Sequence, residues 1–165
     1  MGDERVLVLD VDETLLNIER LSFLKIFKKE YKTYDGKLIF DKYYLSPRPK
    51  VKEFIEEAKK HFKLVAFSVV KREITKEKLK AIGVLDSFSK IYGKEDLQNG
   101  KKSLKKVVND LGISNIIGID DIPESFLEQE KIIKIKPWFI GDDKNDSALL
   151  TIFRNLEFNT IKNLS

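Results

Sequence analysis

Strand-like and helix-like segments alternate along this chain, and the alternation predicts an α/β fold of three layers, a mainly parallel sheet with helices on both faces. Three observations carry that reading. Val6-Leu7-Val8-Leu9, Leu64-Val65-Ala66-Phe67 and Ile116-Ile117-Gly118-Ile119 are short unbroken apolar runs. Such runs are typical of parallel strands buried on both faces. Between them lie amphipathic stretches, as in 51–61, where Phe54, Ile55 and Ala58 share one helical face. Gly83 and Gly112 stand just past two of these stretches, where a left-handed residue closes a helix.

Taken in order, the first strand runs into Asp10-Val11-Asp12-Glu13-Thr14. A helix is expected over about 19–30. Asp35-Gly36 then predicts a two-residue hairpin turn between strand-like runs at 31–34 and 37–40. Pro47-Arg48-Pro49 is stiff punctuation before the helix at 51–61. The second buried strand is 64–68, followed by a helix over 75–82. A short third strand is expected at 88–92, and a helix over 103–111. The fourth strand is 115–120. Pro123 suits the first turn of a helix over 123–129. A fifth strand falls at 132–135, and the last helix runs from about 143 to 156. Parallel strands in this order require right-handed crossovers.

At 165 residues the chain is the size of one domain, and 42% hydrophobic content allows a full core. Residues 15–46 form an insertion too small to be a domain of their own. No uncharged apolar stretch is long enough for a membrane span, and the chain enters its first strand without a signal-peptide pattern. A cytoplasmic protein is expected. There is no Cys, so disulfides, thiol catalysis and Cys-based zinc sites are excluded. The single histidine, His61, leaves little room for His-based triads or metal centres. The net charge of +4 is modest and the lysines alternate with glutamates. That pattern reads as a solvated, ion-paired surface, and nucleic acid is not an expected partner.

The remaining chemistry belongs to carboxylates, hydroxyls and lysines. Asp10 and Asp12 are spaced i and i+2 at the end of a buried strand, so they share a side. In parallel sheets, ligands bind beyond the carboxyl ends of the strands. Paired acids at that address suit phosphoryl transfer through an aspartyl-phosphate. One carboxylate attacks phosphorus, and the other protonates the leaving oxygen and then activates water. Two carboxylates facing a phosphate dianion also call for a cation, and Mg2+ suits such hard oxygen ligands.

Asp-x-Asp-x-Thr after an apolar strand resembles motif I of the haloacid dehalogenase (HAD) superfamily. With Glu13 and Thr14-Leu15 it resembles the FCP/SCP-like branch, the NLI-interacting-factor-like phosphatases. The resemblance implies a Rossmann-like HAD core with a small C1-type cap insertion at 15–46. It implies Asp10 as nucleophile, Asp12 as general acid and base, and Thr14 as the residue ordering the loop. Ser68, after Leu64–Phe67, resembles the motif II hydroxyl that binds the phosphoryl group. Lys102-Ser103-Leu104 resembles the segment carrying the phosphate-binding lysine, with Lys102 preferred to Lys101. Asp120-Asp121 resembles motif IV, with Asp121 where that branch often has Asn. By the resemblance, Asp10, the Asp12 carbonyl and Asp121 bind Mg2+ while Asp120 supports the site; which of Asp120 and Asp121 is the direct ligand stays open. Gly141-Asp142 through Asp146 fits another form of motif IV and is the rival. Asp120 and Asp121 are preferred because their strand is cleaner and the lysine helix precedes it. Otherwise Asp143 or Asp146 caps the last helix. Pro137-Trp138 and the acids after it resemble the branch's C-terminal segment, and Pro47-Arg48-Pro49 resembles its Arg-Pro-Gly, read as structural.

The resemblance implies a phosphorylated substrate, phosphoserine or phosphothreonine in a peptide. A small-molecule or phosphotyrosine phosphatase of the magnesium-dependent type would share every acid named. A catalytically silent binding module on the same fold is the third reading. The oligomeric state is not legible in the sequence.

Overall fold

The protein is described by a computed structural model covering residues 4–26 and 34–162. Five parallel strands form the main sheet: β1 (Val6–Leu9), β5 (Lys63–Phe67), β6 (Lys90–Tyr92), β7 (Ile116–Asp120) and β8 (Ile132–Lys134). Their order is β6-β5-β1-β7-β8. β1 is central, and the chain winds outward from it first through β5 and β6, then through β7 and β8. The crevice at this reversal, beside the end of β1, is where open α/β sheets bind ligands.

Period-two burial explains why β1 can be apolar throughout. Leu7 and Leu9 face one side with Leu64, Ala66 and Ile119. That side is covered by α2 (Val51–Ala58), α3 (Arg72–Ala81) and α5 (Ala148–Lys162), through residues such as Phe54, Leu79 and Leu149. Val6 and Val8 face the other side with Val65, Phe67 and Tyr92. There Leu104 and Val107 of α4 (Leu104–Leu111) and Phe126 close the core. Each such side chain contributes about 2 kcal/mol when fully buried. Gly83 and Gly112 take left-handed φ values of 74° and 70°, as helix-closing residues should.

Between β1 and α2 lie β2 (Leu16–Arg20), α1 (Leu21–Ile26), β3 (Lys37–Ile39) and β4 (Tyr43–Pro47). The strands make a separate antiparallel sheet in the order β2-β4-β3. Several expectations need correction here. The segment expected to start a helix at 19 instead begins as a strand, because Leu16-Asn17-Ile18-Glu19-Arg20 alternates and pairs with β4. Residues 21–26 are helical as expected, in α1, while 27–30 and most of the run at 31–34 lie outside the described residues. A hairpin joins β3 and β4 through Phe40 and Asp41, whose φ values are 49° and 59°; most of the first strand of the hairpin expected at Asp35-Gly36 lies outside the described residues.

The expected helix at 123–129 is also absent. Two 3-10 turns, Pro123–Ser125 and Gln129–Lys131, replace it. The reason is a backbone pairing: Lys102 N–H donates to Ser125 O at 2.8 Å, and Leu127 N–H donates to Lys102 O at 2.9 Å. Those bonds hold Phe126, between them, in extended conformation. The helix after Pro49 ends at Ala58, and the last helix begins at Ala148 rather than near 143. Asp146 caps it, its Oδ1 accepting from Ala148 N–H at 3.2 Å. Among the described residues no helix is long and apolar enough to cross a membrane.

Arg48 ties the insertion, the β1 loop and the C-terminal segment together. It is 1% exposed. Its Nε and Nη2 donate to the two oxygens of Asp146 at 2.7 and 3.1 Å, and Nη1 reaches the carbonyls of Glu13 and Thr14 at 3.5 and 3.3 Å. Burial opposes the ionised Asp146, yet the guanidinium holds its carboxyl below the usual aspartate range. Arg48→Leu leaves Asp146 without its partner and should cost about 3 kcal/mol in urea unfolding. Arg48→Lys should recover only part of this, because one ammonium cannot reproduce the planar fork.

Candidate active site

The strand ends at the reversal bring the sequence-selected acids into one place. Asp10 follows β1, and its N–H donates to Ile119 O of β7 at 3.0 Å. Its carboxylate is almost wholly buried. Oδ1 accepts from Lys102 Nζ at 2.5 Å, and Oδ2 accepts from the Thr14 hydroxyl at 2.9 Å. The Thr14 hydroxyl also stands 3.4 Å from Asp121 Oδ1.

Lys102 is 1% exposed and its ammonium bridges two acids, reaching Asp120 Oδ2 at 2.7 Å. Its position follows from the backbone pairing with 125–127 and from the start of α4 immediately after it. Ser103 caps that helix, its Oγ accepting from Lys106 N–H at 3.2 Å. Glu128 adds a second cap, accepting from the N–H groups of Leu104 and Lys105 at 2.9 and 3.1 Å. Lys101, the alternative lysine, pairs through its backbone with Gln98 and has no contact with the acids.

Asp120 is fully engaged. Oδ1 accepts from Ile122 N–H at 2.7 Å, and Oδ2 accepts from Lys102 and from the Ser125 hydroxyl at 3.1 Å. Asp121 is half-buried and has only the long Thr14 contact. Asp10, Asp120 and Asp121 each offer an oxygen within 4.8 Å of the others, the one such acidic group among the described residues. Asp142 and Asp146 are occupied elsewhere: Asp142 accepts from Phe139 N–H at 2.9 Å, and Asp146 holds Arg48. Ser68 lies at the end of β5, next to β1. Its Oγ accepts from Val70 N–H at 3.2 Å and makes no bond to Asp10.

Asp12 turns its carboxylate to Lys78 of α3, with Oδ1 and Nζ 2.5 Å apart. The sequence reading missed Lys78. The available signal was a lysine on the buried face of an amphipathic helix, beside Thr75 and Leu79. It also missed Ser125 and the special backbone of Glu13, whose φ is 58°. Trp138 N–H donates to Glu13 O at 2.9 Å, and Asn17 Nδ2 donates to Glu13 Oε1 at 3.3 Å. The strained residue is thus held from both sides.

Electrostatics mark the site. Burial pushes the Asp10 carboxyl up to about 7, with Lys102 opposing. Burial works against the Lys102 ammonium, but Asp10 and Asp120 outweigh it and raise its pKa. Burial, then Asp120, raises Asp121. Burial together with Asp12 and Asp121 pushes Glu13 up to about 7. Carboxyls raised together by burial and by one another make a site that favours a positive charge among them.

The doubly wound α/β fold is shared with solved haloacid dehalogenase-like hydrolases. More narrowly, the chain belongs to the NLI interacting factor-like phosphatase family, whose model matches residues 5–163. No curated protein matches the chain. Among solved structures it resembles fission yeast RNA polymerase II CTD phosphatase Fcp1-R271A bound to beryllium fluoride, with 19% identity and a TM-score of 0.65. That match covers 98% of this chain and 51% of the other. A second Fcp1 structure gives 16% identity and a TM-score of 0.66 over 96% of this chain and 50% of that one. The chain therefore spans about half the length of those Fcp1 chains. A predicted phosphoglycolate phosphatase from Haemophilus somnus matches with a TM-score of 0.59 at 15% identity, covering 92% of each chain.

The Glu13 carboxyl supplies a test by pH. Its folded pKa, about 7, lies above the 4.5 of the free side chain. The stability it contributes is therefore full below that free value and lost as pH rises through about 7. In metal-free protein, Glu13→Gln should be more stable than wild type at about pH 8 and show no such gain at about pH 4. Thermal unfolding at the two pH values measures the difference.

Proposed function

We propose that this protein is a Mg2+-dependent phosphatase that cleaves phosphomonoesters through a phosphorylated Asp10. The observation that carries the reading is the Asp10–Lys102–Asp120 chain of buried charge, beside Asp121, at the end of β1. Asp10 is the nucleophile: one of its oxygens bonds to phosphorus as the leaving oxygen departs. Lys102 fixes that carboxylate and offers its ammonium to the phosphoryl oxygens. Asp12 gives a proton to the leaving oxygen, then takes one from the water that releases phosphate. Thr14 holds the second Asp10 oxygen, and the Ser68 hydroxyl is a donor for the phosphoryl group at the neighbouring strand end.

The donor set fits a hard divalent ion, being carboxylate oxygens with no nitrogen or sulfur. Asp10, Asp121 and the Asp12 carbonyl would hold it. Asp120, both of whose oxygens are taken by protein donors, would position Lys102 and the loop after β7. When bound, Mg2+ supplies positive charge that offsets the repulsion between Asp10 and a phosphate dianion.

For the substrate, we favour a phosphoserine or phosphothreonine side chain in a peptide. Family membership supports this, as does the likeness to a phosphatase named for the RNA polymerase II CTD. A cytoplasmic location is part of the same reading.

Hydrolysis of para-nitrophenyl phosphate with Mg2+, with EDTA and with Asp10→Asn tests the chemistry. EDTA should abolish turnover and Mg2+ restore it; Asp10→Asn should lose more than about a thousandfold in kcat. An intact, folded protein that turns over neither this ester nor phosphopeptides would instead be a binding module. A higher kcat/KM on small phosphomonoesters than on phosphopeptides would overturn the substrate assignment alone.

A further inference from the structure

Two lysines are buried among the described residues, and both end on motif I acids. Lys102 meets Asp10, and Lys78 meets Asp12. The first pairing belongs to the phosphoryl site. The second has no such role, and it comes from an element that contributes nothing else to the chemistry.

Lys78 is 4% exposed and lies in the last turns of α3, on the face that also buries Thr75 and Leu79. An ammonium at such a position is costly unless it is paired. A hydrophobic residue there would pack against the sheet without cost. Its one ion pair among the described residues is with Asp12, Nζ lying 2.5 Å from Oδ1; Glu13 feels the same charge at longer range without bonding to it. The Asp12 side chain keeps 21% of its surface exposed, against 6% for Lys78. The ion pair is therefore anchored at its lysine end, within the helix packing. The carboxylate end faces the open side of the site.

From this geometry we infer that Lys78 is a positioning residue for Asp12, and that it fixes the direction of proton delivery to the leaving group. The inference rests on the phosphatase reading above. Holding Oδ1 on a buried, rigid helix leaves Oδ2 for the substrate. As the Asp10–phosphorus bond forms and the bond from phosphorus to the leaving oxygen breaks, the proton on Asp12 passes to that oxygen. An Asp12 side chain without the anchor would have its rotamers open, and delivery would depend on chance alignment.

The effect should depend on how much the leaving group needs a proton, which separates aim from general damage to the site. The test is kcat/KM for Lys78→Met across aryl and alkyl phosphates of increasing leaving-group basicity, with circular dichroism to confirm folding. For alkyl and phenyl phosphates, Lys78→Met should lose roughly a hundredfold. For dinitrophenyl phosphate, whose leaving group departs without protonation, the loss should be at most about threefold. Lys78→Arg, which keeps a buried cation in reach of Asp12, should recover most of the alkyl-phosphate rate. Should Lys78→Met not fold, Lys78→Gln carries the same comparison.

An equal loss on every ester would mean that Lys78 serves only the fold or the general field, and would overturn the inference. So would no loss on any. Both results require a wild type that is active and an Asp10→Asn variant that is not. If the wild type itself hydrolyses none of these esters, the phosphatase reading fails instead.

Discussion

The structure turns on one buried charge, the Lys102 ammonium. Placed without partners beside the Phe126 ring at the apolar end of the sheet, it would be prohibitively costly. Asp10 and Asp120 make it affordable, and each of those acids in turn depends on it. Ion pairs of this kind add little net stability, but removing one member strands the others. The arrangement therefore holds three side chains in a single geometry. It also requires three separate segments to arrive together: the end of β1, the end of β7 and the segment that leads into α4. The extended backbone around Phe126 secures the third, since Ser125 and Leu127 pair directly with the Lys102 peptide groups.

A second set of restraints surrounds the loop after β1. Glu13 carries a positive φ, and its carbonyl accepts from Trp138 N–H. Trp138 is itself buried with Leu24 and Ile140, alongside Tyr34 and Tyr44. Arg48 reaches the same loop from the other side. The insertion and the C-terminal segment, far apart in the chain, thus converge on the five residues that hold both acids. A loop so over-determined can keep a strained residue and two converging carboxylates in place.

The charge balance explains why the site calls for a cation. Asp10, Asp12, Glu13, Asp120 and Asp121 lie together, and two buried lysines meet them. The raised pKa of Asp10, Glu13 and Asp121 records the surplus of negative charge and the burial around it. Under the proposed function, Asp10 and Asp121 would hold a divalent ion whose charge would offset that surplus. It would also make the approach of a phosphate dianion favourable, which the acids by themselves would resist.

Residues 6–14 carried much of the answer in the sequence. Their apolar run, ending in two acids at i and i+2, determined a buried strand and the place of the site, because alternation and burial are properties of a few neighbouring residues. Helix ends at Gly83 and Gly112 were legible for the same local reason. Asp120 and Asp121 came from the resemblance to motif IV. What the sequence could not decide was set by contacts across the chain. Pro123 suits a helix, yet pairing with Lys102 stretched the residues after it. The β2–β4 pairing likewise turned residues expected to open a helix at 19 into a strand. Lys78 reaches Asp12 over 66 residues and Arg48 reaches Asp146 over 98. No local pattern encodes such partners, because a charged side chain on a helix is compatible with solvent until the packing of the whole chain removes the water around it.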